Sequence, residues 1–585
     1  MKGNAEQREF KKLKNQIKQI EEIVHNSKGN ALFEHEATIR KKLIQLKSMK
    51  KETFKDFNDI YERYESLLEE TGKKILEAYN KRNGTDFDFY EVLRGNYNVF
   101  LNSGIITVLT KNHIPKMIAK EFDENFPDNP KDEYPLARRI KRKFYIHLGD
   151  TNTGKTYNAI KKLKSAKKGL YLSPLRILAL EIFERLNNDN VICDLSTGEE
   201  EVIKLGATHM SCTIEKANLK QDYDIVVIDE IQMINDSQRG NAWTRALLGL
   251  KCREIHICGA LNSKDILKTI IEDCGDEYEI KEYKRNTPLE VQYKSFNYKD
   301  VNDGDALIVF SKKRVLEIAK QYADNGIKTS IIYGALPPEV RKMQYNQFIN
   351  KEANVLVSTD AIGMGVNLPI KRIVFMSIKK FDGDDVRELT SQEVKQVAGR
   401  AGRKGIYDIG YVASVGDTQD FIKEKIEATD DFIEKAVVGP SDAILNIKTL
   451  PLNEKLALWS SREEKVSYYR KMDISEYLII LDKIKRYRLR EDIQWNLLKV
   501  PFDVSNEDLM DKFLEYVDEL FVAKLKSLTK PECFSGNLEE LENYYQKISM
   551  YYSFSKIFNL KFDVEWVYKE RRRVSDEINE ILVGI

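Results

Sequence analysis

Cysteine is scarce in this chain: six are scattered over 585 residues, and no two form a C-x-x-C pair. Zinc held by paired cysteines is not expected, and free thiols suit a reducing compartment. An excess of either charge is also missing, because 94 Lys and Arg offset 93 Asp and Glu to leave +1. Overall charge therefore announces no polyanionic partner, and any basic surface must be local. No apolar run approaches the ~18 residues of a membrane-spanning helix. The most continuous, such as Asp224-Ile-Val-Val-Ile-Asp229, have the length of strands. The opening Met1-Lys-Gly-Asn-Ala-Glu-Gln lacks the apolar core of a signal peptide, and its acids fit poorly with a mitochondrial presequence. These absences lead to the expectation of a cytoplasmic protein without a membrane partner.

What is present points to several domains, roughly three or four at this length. Hydrophobic residues at 42% are enough for packed cores, and charged residues at 32% imply long solvated helices. Up to about residue 135 the chain is rich in Lys, Glu and Leu, with Phe10, Leu13, Ile17, Ile20 and Val24 on one face of an amphipathic helix. From 136 to 285 short apolar strands alternate with helical runs: Phe144–Leu148, Gly169–Ser173, Asp224–Ile228 and Glu254–Cys258. After Arg285-Asn-Thr-Pro288, expected to be a linker, the alternation restarts and runs to about 435. Its strands are Ala306–Phe310, Lys328–Ile332, Asn354–Ser358 and Arg372–Phe375. From 436 to 585 the chain reads as helical again. The expected fold is α/β, two tandem RecA-like P-loop lobes with parallel sheets flanked by helical N- and C-terminal domains.

Gly149-Asp-Thr-Asn-Thr-Gly154-Lys155-Thr156 fits G-x-x-x-x-G-K-[ST] between a strand and a helix. Gly149 and Gly154 let the backbone curl, so that Thr151, Asn152 and Thr153 can present N–H groups to phosphate oxygens at a helix N-terminus. Lys155 can reach the outer phosphates, and the Thr156 hydroxyl can ligate Mg²⁺. ATP and Mg²⁺ are the expected cofactors. Asp229 and Glu230 end an apolar strand; Asp229 can hold the Mg²⁺ shell and Glu230 can deprotonate an attacking water. Gln396-Val-Ala-Gly-Arg400-Ala-Gly-Arg403 places two arginines on one helical face, suited to charge spreading on a transferred phosphoryl group or to a plain basic surface. His147 and His256 lie on apolar strands and read as core. Arg138, Arg139, Lys141, Arg142 and Lys143 form the densest basic cluster and are expected near nucleotide or strand.

Together these residues resemble a superfamily-two DExH helicase, specifically the mitochondrial RNA-degradosome helicase family and its bacterial or phage relatives. The resemblance runs from about Tyr134 to Gly410 and extends to Leu172–Ala179, Leu195–Glu200, Cys212–Glu215, Asp229–Ile234, Arg239–Leu248 and Ser358–Leu368. It implies a strand track through Pro174, Arg176, Thr197, Gly198, Thr213, Ser311, Thr359 and Asn367, gripping the backbone without reading sequence. It further implies that Gly363 and Gly365 couple the second lobe to nucleotide, and that Gln396, Arg400 and Arg403 close on the γ-phosphate. Asp150 stands where the family usually has proline, and Ala260 where relatives often have an acid. Lys379–Glu388 reads either as a connecting loop or as a strand-splitting hairpin with an Asp-Gly turn. The basic stretches Lys483–Arg490 and Lys569–Arg573 read either as an exit-channel wall or as solvated faces.

The expected activity is ATP-dependent RNA unwinding by 3′-to-5′ translocation on single-stranded or overhang-bearing RNA. A strand clamp or complex remodeller that hydrolyses ATP without unwinding, or a DNA helicase, stays open as an alternative. A protein partner is expected on the N-terminal helical domain, and a bacterial or phage cytoplasmic origin is favoured.

Overall fold

Fully apolar strands need cover on both faces, and here they find it in parallel sheets with helices on either side. The computed structural model describes residues 2–29, 31–49, 54–285, 287–363, 368–383, 385–403 and 405–585. Lobe 1 is an eight-stranded sheet in the order β4-β3-β5-β2-β6-β7-β1-β8. Its strands are β1 Lys143–Gly149, β2 Gly169–Ser173, β3 Cys193–Ser196, β4 Glu201–Val202, β5 His209–Thr213, β6 Asp222–Ile228, β7 Lys251–Gly259 and β8 Glu277–Tyr283. All its pairings are parallel except β3 with β4.

Lobe 2 is a six-stranded parallel sheet in the order β11-β12-β10-β13-β16-β9. Its members are β9 Leu289–Val291, β10 Asp305–Ile308, β11 Thr329–Ile332, β12 Val355–Ser358, β13 Arg372–Phe375 and β16 Gly410–Ser414. Between β13 and β16 lies a hairpin of β14 Lys379–Phe381 and β15 Val386–Glu388, with Phe381 paired to Val386 nearest the turn. The expected apolar strands all form. Those that sequence reading passed over carry weaker signals: β8, Glu-Tyr-Glu-Ile-Lys-Glu-Tyr, is a half-exposed edge strand in which apolar and charged residues alternate.

A helical N-terminal unit comprises residues 1–125 with 446–450, where the sequence reading drew its line at 135. Its long helices Lys2–Asn26, Ala31–Lys47 and Phe57–Asn83 bury Leu13, Ile17, Val24, Ile39, Leu43 and Leu68 in one core. The Tyr64 hydroxyl donates to the Leu13 carbonyl at 2.9 Å, and the Glu36 carboxylate accepts the Ile105 N–H at 2.9 Å.

The C-terminal part of the other compact unit is mostly helical but opens with a strand pair, β17 Ala436–Val438 and β18 Tyr469–Lys471. Ile433, Ala436, Val438 and Tyr469 join the core of lobe 1, beside Trp243 and Leu247. The chain therefore returns to lobe 1 after completing lobe 2. It ends in two antiparallel helices, Leu538–Ile557 and Val564–Val583.

Two arginines of the basic cluster before β1 turn into the protein, while Arg139 and Lys141 stay exposed. Arg142 is buried, paired with Asp276 and donating to the carbonyls of Leu247 (3.0 Å), Leu248 and Leu250, while Arg138 donates to Leu248 and Asp276. The carboxylate and the carbonyls satisfy guanidinium groups that burial would otherwise penalise. These two arginines staple β1 to its neighbours.

Candidate functional site

The phosphate loop leaves the C-terminal end of β1, which lies between β7 and β8. Gly149 is opposite Tyr283 of β8, so close that a Cβ at Gly149 would sit 2.1 Å from the Tyr283 carbonyl oxygen. Gly154 has φ +85° and starts the helix Lys155–Leu163. Thr153 Oγ1 donates to the Asp150 carbonyl at 2.9 Å, tightening the loop. Lys155 Nζ donates to the carbonyls of Gly149 (2.6 Å) and Asp150, and burial draws its pKa below the usual lysine range.

The Asp229 carboxylate meets that loop from the end of β6. It accepts from Thr156 Oγ1 at 3.2 Å, from the Tyr171 hydroxyl at 2.8 Å and from the Glu230 N–H at 3.0 Å. Burial, and then the neighbouring Glu230 charge, push its pKa above the ordinary carboxylate range. A cation there would relieve that penalty, so the pair Thr156 and Asp229 fits a divalent metal. Glu230 adopts φ +51°, a conformation non-glycine residues rarely take, and its carboxylate is held by the Gln232 amide. Gln232 in turn accepts the Ala260 N–H at 3.1 Å, and Trp243 Nε1 donates to the Asp229 carbonyl at 3.0 Å.

Lobe 2 reaches the same loop through the helix Ser391–Ala398 and the turn that follows it. A Thr390 capping box starts that helix. Asn152 Nδ2 donates to the Gly399 carbonyl at 2.9 Å, and a Cβ on Gly399 would lie 2.8 Å from Thr151 Cβ. Arg400 is buried and donates through Nε to the Gly363 carbonyl at 3.1 Å, and burial lowers its pKa. Gln396 lies beside Gly363, 3.3 Å from where a Cβ there would be. Arg400 and Arg403 both act on Glu181, offsetting the burial that pushes its carboxyl up. The structure thus brings Thr151, Asn152, Gly363, Gln396 and Arg400 to one cleft. Gly365 and Asn367 lie outside the described residues.

Along the expected strand track the residues are less open. Thr213 ends β5, Thr359 follows β12 and Ser311 caps the helix Lys312–Ala323, so all three sit at C-terminal strand ends of their sheets. Thr197 is buried and its hydroxyl accepts the Glu200 N–H at 3.0 Å. The Gly198 carbonyl accepts from Ser553 at 2.8 Å, and the Pro174 carbonyl from Arg239 at 2.6 Å. Arg176, expected to grip a strand phosphate, is instead engaged by protein: Glu199 (2.8 Å), Glu200 (3.1 Å), Glu339 (2.9 Å) and the Tyr545 hydroxyl (2.8 Å). Three carboxylates compete there with any phosphate for one guanidinium. Of the C-terminal basic residues, Arg573 pairs with Glu570 and Glu577, Lys569 with Glu565, and Arg490 with Asp492, while Arg571 is buried against Tyr545 and Tyr552.

Three family models match in the order this architecture requires. They are the DEXQ-box helicase domain of Suv3 over residues 130–283, the helicase conserved C-terminal domain over 290–405, and the ATP-dependent RNA helicase SUV3 C-terminal domain over 538–584. A mitochondrial DExH-box ATP-dependent RNA helicase of Arabidopsis thaliana, DExH16, is 34% identical over 451 residues, covering 74% of this chain and 79% of the relative. The chain belongs to the Suv3 family of superfamily-two helicases. Arabidopsis DExH18 is 34% identical over 77% of this chain and 61% of its own length, and Saccharomyces cerevisiae mitochondrial SUV3 is 40% identical over 54% and 45%. The chain thus spans about half to three-fifths of these two longer Suv3 proteins. All three relatives are named as mitochondrial, which overturns the expectation of a cytoplasmic protein.

Tyr171, Arg285 and Tyr545 also bond residues of this candidate site and were missed in the sequence, as were the particular contacts of Gln232 and Trp243. Tyr171 and Trp243 carry the signal of core residues, and nothing near Arg285 or Tyr545 marks them.

Proposed function

We propose that this chain is an ATP-dependent RNA helicase that moves 3′ to 5′ along a single strand and hydrolyses Mg²⁺-ATP between its two lobes. The observation that carries this reading is the cleft itself, where Thr156 and Asp229 of lobe 1 face the Gly399–Arg403 turn of lobe 2 across the phosphate loop. The names of the relatives support RNA as substrate and mitochondria as the setting. Mg²⁺-ATP supplies the phosphoanhydride bond whose cleavage drives the cycle. Gly149 to Thr156 bind the phosphates, and Lys155 trades the loop carbonyls it now holds for phosphate oxygens. Thr156 and Asp229 would hold the metal. Glu230, fixed by Gln232, orients a water and takes its proton. Gln396, Arg400 and Arg403 lend positive and polar groups from lobe 2, so the site is complete only when the lobes are together.

The strand would cross the C-terminal strand ends, past Thr213, Ser311 and Thr359. The β14–β15 hairpin favours unwinding over mere clamping. Arg387 is fixed by Glu393 at 2.9 Å and Lys380 by Asp360 and Glu393, while Phe381 and Val386 stay exposed near the tip. An anchored ribbon with an exposed apolar pair at the base of its turn is suited to part stacked bases.

Duplexes of RNA and of DNA with 3′ or 5′ overhangs test the whole reading. ATP should release strands from 3′-overhang RNA, Lys155→Ala should abolish both hydrolysis and release, and Glu230→Gln should hold ATP on a strand-bound complex. RNA-stimulated hydrolysis without strand release would favour the clamp instead.

A further inference from the structure

The segment Arg285–Pro288, read from sequence as a linker, contains a side chain that does more than connect. β8 runs parallel to β1 with Gly149 opposite Tyr283, so Arg285 emerges two residues later beside the phosphate loop. Its guanidinium is half-buried and reaches across the cleft. Nη1 donates to the Gly399 carbonyl at 2.7 Å and lies 3.4 Å from the Thr151 carbonyl, Nη2 donates to the Ala401 carbonyl, and Nε donates to the Thr287 carbonyl at 2.6 Å. Gly399 and Ala401 follow the last turn of the helix Ser391–Ala398, where free carbonyls gather partial negative charge and a cation is stabilising. The flanking Arg400 is the residue whose reach toward nucleotide depends on how this turn sits. Among the described residues its hydrogen-bond partners are all backbone carbonyls. Burial lowers the Arg285 pKa, and the Asp150 charge in the phosphate loop offsets part of that.

We propose that Arg285 is a positioning residue that latches the Gly399–Arg403 turn of lobe 2 onto the phosphate loop. The latch rests on the helicase reading and adds to it the element that ties lobe closure to the nucleotide loop. The fork geometry matters, since one planar guanidinium spans two carbonyls of the turn while an ammonium is a single point donor.

The test uses the full chain with Arg285→Ala and Arg285→Lys. Binding of a fluorescent ATP analogue is measured apart from RNA-stimulated turnover. Lobe closure is followed by energy transfer between dyes on Lys167→Cys and Glu352→Cys, with Cys274 and Cys533 replaced by serine. Misplacing the turn should lower kcat by about tenfold to a hundredfold while the analogue's Kd changes by less than about threefold. Arg285→Lys should fail to rescue, and both variants should show less closure than wild type with ADP and beryllium fluoride. Unchanged kcat and closure, or equal losses in affinity and turnover, would overturn the proposal. A wild-type chain with no RNA-stimulated hydrolysis would sink the helicase reading alone, and closure that survives Arg285→Ala would still refute the latch. If Arg285→Ala does not fold, Arg285→Lys decides the matter through the same readouts.

Discussion

Substituting alanine for Gly149 would drive a methyl group to within 2.1 Å of the Tyr283 carbonyl oxygen, and the backbone of β8 has no rotamer with which to yield. The variant should lose nucleotide binding and about 1–3 kcal/mol of stability, read by analogue titration and by denaturant unfolding. A second residue-scale prediction concerns His147. Its Nδ1 meets the Tyr283 hydroxyl at 2.8 Å and its Nε2 meets His256 Nδ1 at 2.9 Å; burial, with His256 beside it, pulls its pKa down to about 4. A histidine with a folded pKa below its unfolded 6.5 contributes stability that is present above pH 6.5 and lost as pH falls toward 4. Unfolding free energy should therefore decline across that window, by at most about 1.4 kcal/mol per pH unit for this group. His147→Gln should flatten the slope in urea titrations. At this scale the sequence was most readable where a side chain serves a fixed motif, as Lys155, Thr156 and Asp229 do. Arg285 was hidden because its partners are backbone carbonyls, which any residue supplies. Arg142 misled because Asp276, its partner, lies far along the chain and only the sheet brings the two together.

The hairpin Lys379–Glu388 was half-legible as an element. Asp-Gly fixed the turn, but the pairing of Phe381 with Val386, both exposed at its base, was set only by the register. Replacing both by serine should leave RNA-stimulated hydrolysis within about twofold and cut the rate of strand release several-fold, since the change touches no group near the nucleotide. Equal loss of both activities would make the hairpin a part of the ATP cycle. The apolar strands of both lobes were plain from their composition because parallel sheets bury both faces. The edge strand β8 was not, since alternating charged and apolar residues at a sheet margin resemble any amphipathic stretch.

Across the larger compact unit, Arg176 is the point where three parts meet: Glu199 and Glu200 from lobe 1, Glu339 from lobe 2 and Tyr545 from the C-terminal helices. Arg176→Ala would leave three carboxylates without their shared cation. They retain some exposure, so the cost should be about 2–4 kcal/mol, measured in the transition that melts both lobes. Arg176→Lys should recover only part of it, because an ammonium cannot fork between these partners. No sequence window contains this cluster, and tertiary packing alone defines it. The return of the chain to lobe 1 also lay beyond sequence reading, since Ala436-Val-Val438 is too short to announce a strand.

That return has a consequence for how the protein is made. Lobe 1 needs Ile433, Ala436, Val438 and Tyr469 to close its core, yet β8, the last strand of its sheet, ends at Tyr283. At synthesis rates of about 5–20 residues per second, lobe 1 waits roughly 10–40 s for those residues to emerge. During that interval its apolar flank beside Trp243 stays uncovered on the ribosome while lobe 2 is free to fold. Slowing translation after Tyr283 should lengthen that exposure and raise the burden on chaperones, whereas slowing it after Tyr469 should not.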